Sequence, residues 1–232
     1  MYEYELFRFL AKWRKAGKYP PASAWPGYLQ FGSSIWATIN KLHSFTATDM
    51  HEYEASFFAE GEKIITTKPI RGSEASVTAS HSFQVKYIPD NGRGVYQKQV
   101  ILDGSVINRE TVLPNNVPQE IVAGFLFNVH THPKHFNSNN EETYGFFSPV
   151  DVGSLLKSKA YLMGLVTSEF WLCCKTDRVI SEVGTVGEEM LMRITEEAYS
   201  GNSFLNDVIR TEMKNWGLIF YRGEFNGKLI RI

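Results

Sequence analysis

Cysteine is nearly absent. The chain has 232 residues and two cysteines, and these are neighbours, Cys173 and Cys174, within FWLCCKTD. Adjacent strand residues point to opposite faces, so a bond between them would be strained. No disulfide framework is expected. The pair reads as two small buried or half-buried hydrophobes in a reducing compartment. Long apolar runs are also missing. None reaches the ~18–20 residues of a membrane span, and MYEYELFRFLAKWRK is charged throughout, unlike a cleavable signal. A cytoplasmic protein without membrane contact is the expectation. The chain has no excess of positive charge, with 24 Lys and Arg against 25 Asp and Glu. A nucleic-acid binder normally carries a basic excess, so that class is excluded. The local run of Lys12, Arg14, Lys15 and Lys18 reads as the solvated side of an N-terminal helix. Repeats and low-complexity linkers are lacking too.

What is present is a core-forming composition, with 43% hydrophobic and 14% aromatic residues, which excludes disorder over most of the length. Leu6, Phe9, Leu10 and Trp13 recur at helical spacing, which predicts a helix over 2–16. GKYPPASAWPGY (17–28) reads as a loop packed by its aromatics. Ile35, Trp36, Ile39 and Leu42 share one face of a helix over 33–45. Strands are expected at Glu54–Ala59, at 75–88, at Tyr96–Asp103 after the turn PDNGRG, and at 121–132, an interior strand. A polar, Asn-rich loop follows at 134–147, then a helix from Ser148 carrying Leu155 and Leu156. Two strands follow, YLMGLV and FWLCCK. One or two helices are expected over 185–215, and the chain closes in a hairpin, GLIFYRGEFNGKLIRI. This order implies an α/β fold, a mixed β-sheet flanked by helices, with helical and hairpin extensions at both termini.

The chemistry concentrates in NVHTHP (128–133). On a strand His130 and His132 share a face, with Thr131 on the other and Cβ atoms roughly 7 Å apart, so two ring nitrogens can converge on one ion. Pro133 cannot donate to a ladder and ends the strand beyond the second imidazole. The bland alternative is a pair of core histidines satisfied by hydrogen bonds. A third ligand must come from elsewhere, and Asp151 in SPVD (148–151) is the candidate. The same tetrapeptide also reads as a capping box, with Ser148 at the N-cap, proline at the first helical position and an acid at the third. The two readings are compatible.

Together, HTHP, a loop, SPVD opening a helix and the following strand pair resemble the JAB/MPN metalloprotease family, whose JAMM motif is a glutamate, HxHP and SxxD. The resemblance covers residues 33–178, leaving 1–32 as an N-terminal extension and 179–232 as C-terminal helices and hairpin packed on the same domain. It implies a cytidine-deaminase-like JAB/MPN fold. It implies that zinc is held by His130, His132 and Asp151, with water in the fourth position. Glu54, in EYEASFFAEG, would be the general base and Ser148 the oxyanion donor. The implied activity is that of a peptidase or isopeptidase acting on a protein or peptide substrate, such as the C-terminal tail of a ubiquitin-like protein. Relatives that have lost the ligands serve as scaffolds, and that is the alternative function. A zinc deaminase would need P-C-x-x-C, which adjacent cysteines do not supply.

Two spacings depart from the motif. The gap from HxHP to the serine is long, and so is that from Glu54 to His130; insertions in surface loops are tolerated. The 134–147 insertion can be a substrate lid or a plain surface loop. Glu52 and Glu74 compete with Glu54 as the base. His135 can reach the site from the loop or remain solvated. His43, His51 and His81 show no ligand spacing to one another.

Overall fold

The computed structural model describes residues 1–74, 76–77, 81–121, 123–136, 138, 140, 142–143, 145–179, 189, 192–193, 195–196 and 215–232. The helices expected over 185–215 lie almost wholly outside the described residues. Helix α1 spans Glu3–Lys15, strand β1 Tyr28–Gln30 and helix α2 Ser33–Asp49. Strands β2 (Tyr53–Glu60), β3 (Lys63–Thr66) and β4 (Ile70–Arg71) follow, then β5 (Phe83–Asp90), β6 (Val95–Leu102) and β7 (Ser105–Val112). Next come β8 (Ala123–Thr131), β9 (His135–Phe136), β10 (Glu142–Thr143) and helix α3 (Pro149–Lys157). The chain ends with β11 (Leu162–Val166), β12 (Phe170–Lys175), β13 (Leu218–Gly223) and β14 (Lys228–Arg231).

The main sheet is mixed and runs in the order β1-β14-β13-β12-β11-β8-β2-β3, with β4 also paired to β2. Among the described strands β8 and β11 pair in parallel, and α3 lies in the connection between them. Both termini therefore enter the same sheet: β1 pairs with β14, and β13 pairs with β12. Alternation along the strands divides the core. Phe57, Phe127, Val129 and Cys174 join Leu6, Leu10, Ile35 and Ile39 under α1 and α2. Met163, Leu165, Trp171 and Cys173 join Val152 and Leu155 beneath α3. The two cysteines are thus free, buried and on opposite faces. Gly164 of β11 leaves no room for a side chain, since a Cβ there would stand 2.7 Å from Val129 Cγ2.

Several elements differ from expectation. Helix α2 runs four residues past 45 and stops at Met50, which adopts the left-handed conformation. The extra turn places Thr46 against Thr131, whose hydroxyl also accepts from the Tyr53 N–H. Of the expected basic face, Lys12, Lys15 and Lys18 are exposed, but Arg14 folds inward over Tyr161 and donates to Leu126 O. The strand expected from 75 begins at Phe83, and β5-β6-β7 form a separate three-stranded sheet. Phe83 stacks on Phe58 of β2, and Lys98 pairs with Glu60, so this meander packs on the main sheet. The described part of 134–147 contains the small β9–β10 hairpin and ends in Phe146 and Phe147, which are core residues. Among the described residues no helix is long and apolar enough to cross a membrane.

Lys175, at the end of β12, holds the far end of α3. It is 1% exposed, and Nζ donates to Ser158 O at 2.7 Å, Leu156 O at 3.3 Å and the Tyr19 hydroxyl at 3.2 Å. Burial lowers its pKa to about 8. In the unfolded chain a lysine titrates near ~10.4, so between the two values the unfolded state binds more protons. Stability conferred by this residue therefore rises with pH through that window, and the cost of burying its charge is fully present below about 8. Denaturant titrations of wild type and Lys175→Met at pH 8 and pH 10 should show the difference moving in favour of wild type at the higher pH. A difference that does not change with pH would refute the buried-charge account.

Candidate metal centre

Strand β8 brings His130 to the α3 face, because Val129 and Thr131 occupy the α2 face. His132 lies one residue past the strand. Its N–H still donates to Val166 O at 3.0 Å, extending the ladder with β11 before Pro133 ends it. Asp151 comes from the first turn of α3. The capping box forms as its residues dictate: the Ser148 N–H and hydroxyl donate to Asp151 Oδ2 at 2.7 and 2.8 Å, and the Asp151 N–H donates back to Ser148 Oγ at 3.2 Å. The cap and the ligand are one geometry. Binding Oδ2 to the helix start aims the whole carboxylate across at the imidazoles.

The ring nitrogens His130 Nε2 and His132 Nε2 are 3.2 Å apart. Asp151 Oδ1 is 3.2 Å from the first and Oδ2 is 3.3 Å from the second. A tetrahedral ion with bonds of about 2.0–2.1 Å separates its ligand atoms by about 3.3–3.4 Å. The three groups therefore lie at the spacing of one ion's coordination sphere, and His130, His132 and Asp151 can hold a metal ion. The charge balance fits as well. Three carboxylates, Glu52, Glu54 and Asp151, crowd two histidines, and all but Asp151 are buried. Buried charges need partners. Burial works against a charged His130, but the carboxylates of Asp151, Glu52 and Glu54 together outweigh it and raise the pKa to about 9. Burial likewise opposes ionisation of Asp151, and the adjacent His130 and His132 hold it far below the usual carboxylate range.

The two competing glutamates lie on the same face. Glu54 sits directly across from His130 in the β2–β8 ladder, is 3% exposed, and accepts from Asn128 Nδ2 at 3.3 Å. Glu52 precedes the strand, and its Oε1 is 3.9 Å from His132 Nε2. Burial pushes the Glu52 pKa up, against the pull of both histidines. Glu74 is exposed on a bend and His135 on the β9–β10 hairpin. A cleft of about 1080 Å³ opens over this group. Glu52, Glu54 and His130 line it, together with α3 from Ser148 onward and with Val77 and His81. The described residues of 134–147 do not line it. Asn128, the first residue of NVHTHP, and His81 had no signal in the sequence, because neither sits at a ligand spacing. Comparison with protein-family models, with curated proteins and with solved structures gives no match to this chain.

Proposed function

We propose that this protein is a zinc-dependent peptidase or isopeptidase of the JAB/MPN type, with a cytidine-deaminase-like core. The observation that carries the reading is the His130–His132–Asp151 triangle beside a cleft that is lined by a glutamate directly across from His130. Two imidazoles and one carboxylate, without thiolate, suit zinc at a catalytic site. Zinc, when bound, supplies a Lewis acid that polarises a carbonyl and acidifies water toward a pKa of ~7.

The chain's own groups do the rest. The Glu54 carboxylate takes the proton of the attacking water and returns it to the amine that leaves. The Ser148 hydroxyl, which donates to Asp151 Oδ2 in the resting structure, turns about its Cβ–Oγ bond to donate to the developing oxyanion. A flexible C-terminal tail of a ubiquitin-like protein is the substrate the family resemblance suggests. The intact ligand set speaks against the scaffold alternative.

The test has two parts. Protein purified without chelator should carry about one zinc per chain by elemental analysis. A panel of ubiquitin-like proteins joined to lysine by isopeptide bonds, together with peptide amides, should then be cleaved in a reaction that a chelator stops. Protein free of zinc under those conditions would favour the scaffold.

A further inference from the structure

Strand β8 reads AGFLFNVHT, and its asparagine lies in the interior of the main sheet. Asn128 pairs with Ser56 of β2 on one side and with Met163 of β11 on the other. Asparagine is depleted in strands, and a half-buried amide needs partners for its donors and acceptor. Phe127 and Val129 point to the α2 face. Asn128 therefore shares the α3 face with His130, and it lines the cleft. It is not one of the three groups that converge on the ion. A residue that breaks a local preference beside a functional site is expected to have a role there.

What its side chain holds gives the role. Glu54 stands opposite His130 and Ser56 opposite Asn128, so Glu54 and Asn128 are diagonal neighbours across the β2–β8 ladder. Asn128 Nδ2 donates to Glu54 Oε1 at 3.3 Å. A carboxylate only accepts, so the amide must present its nitrogen here. For a glutamate acting as base such a partner matters. The last torsion of its side chain is broad and roughly two-fold, so rotamer preference alone does not fix the carboxylate plane. A base works within about 2.6–3.2 Å of the group it deprotonates, and misplacement by about 1 Å can cost roughly a hundred-fold in rate. A donor mounted on a strand paired on both sides is a fixed point for that plane.

We propose that Asn128 is the positioning residue for the general base, its amide holding Glu54 Oε1 so that the carboxylate meets the attacking water in one orientation. This rests on the peptidase reading and deepens it. Asn128 contacts neither zinc nor substrate in this role and acts through Glu54 alone. An asparagine that only shaped the cleft or the sheet would change KM, zinc content or folding. A positioning asparagine changes the chemical step and leaves those three in place.

The probes are the same isopeptide-linked ubiquitin-like proteins and peptide amides, cleaved by the zinc-loaded full chain. Asn128→Leu, close in shape but without a donor, should keep its zinc, hold KM within roughly two-fold and lower kcat roughly ten- to hundred-fold. Asn128→Ala is a second removal variant and should show the same split. Asn128→Gln, which keeps an amide, should recover part of the loss. Added to Glu54→Gln, Asn128→Leu should lower kcat no further, because the group through which Asn128 acts is already disabled. A readout independent of turnover is the Asn128 side-chain amide, followed by NMR in zinc-free protein. The separation between its proton resonances should collapse in Glu54→Ala. Unchanged kcat in Asn128→Leu and Asn128→Ala overturns the assignment, and so does an equal loss with and without Glu54→Gln. An amide signal indifferent to Glu54→Ala overturns it as well. If zinc-loaded wild type cleaves no probe, the peptidase reading falls, and this assignment with it.

Discussion

Glu54→Gln is expected to keep its zinc and to lose turnover by roughly two to four orders of magnitude, the contribution usual for a positioned general base. The two halves of this result have separate causes. Zinc stays because Glu54 supplies none of the three groups that converge on the ion. Turnover falls because an amide has the shape of the carboxylate but cannot take up the proton of the attacking water. The substitution is mild elsewhere, since Gln can still accept from Asn128 Nδ2, the hydrogen bond that Glu54 makes at 3.3 Å. Glu52→Gln is the necessary companion. Glu52 Oε1 lies 3.9 Å from His132 Nε2, outside the coordinating triangle. With Glu54 as base, Glu52→Gln should retain most of its turnover. Silence of Glu52→Gln alongside full activity of Glu54→Gln would transfer the role to Glu52. The pH–rate profile gives a third reading, because the acidic limb of wild type should be lost with the residue that serves as base.

Much of this centre is legible in single segments, because each ligand's direction is set locally. Strand alternation alone puts His130 and His132 on one face, and the anchoring of Thr131 to Thr46 on the other face bears it out. A capping box alone fixes where Asp151 points. What cannot be read locally is which distant segments meet. His81 has no partner within its own stretch. Its partner is Asp103, 22 residues away across the β5–β6 pairing, which only the folded chain creates. The elements missed share a physical cause as well. Strand β1 is three residues long between two glycines, and its pairing is supplied by β14 at the other end of the chain. Strand β7 is exposed at all but its last residue, so no apolar face announces it, and its pairing with β6 defines it. Arg14 reads as part of a charged surface because its partner, the Tyr161 ring, lies far away in the sequence.

Asp151→Ala should abolish zinc binding, and comparison with two milder variants separates the two jobs of this side chain. Alanine removes the ligand together with the acceptor of the Ser148 N–H and hydroxyl. Loss of a helix cap costs about 1 kcal/mol, so some thermal destabilisation is expected before any metal is considered. Ser148→Ala damages the cap from its other side and leaves the carboxylate, so it should show a similar destabilisation and still bind zinc. Asp151→Asn retains a carbonyl oxygen for the cap but loses the charge that balances His130, so it should melt close to wild type without metal and bind zinc far more weakly. Zinc that binds only the folded state raises the melting temperature by mass action. That rise should appear in wild type and Ser148→Ala, shrink in Asp151→Asn and disappear in Asp151→Ala. One zinc per chain in Asp151→Ala would show that the imidazoles find their third ligand elsewhere. The Glu52 carboxylate is 3.9 Å from His132 Nε2, and the double variant Glu52→Gln, Asp151→Ala would then be the decisive measurement.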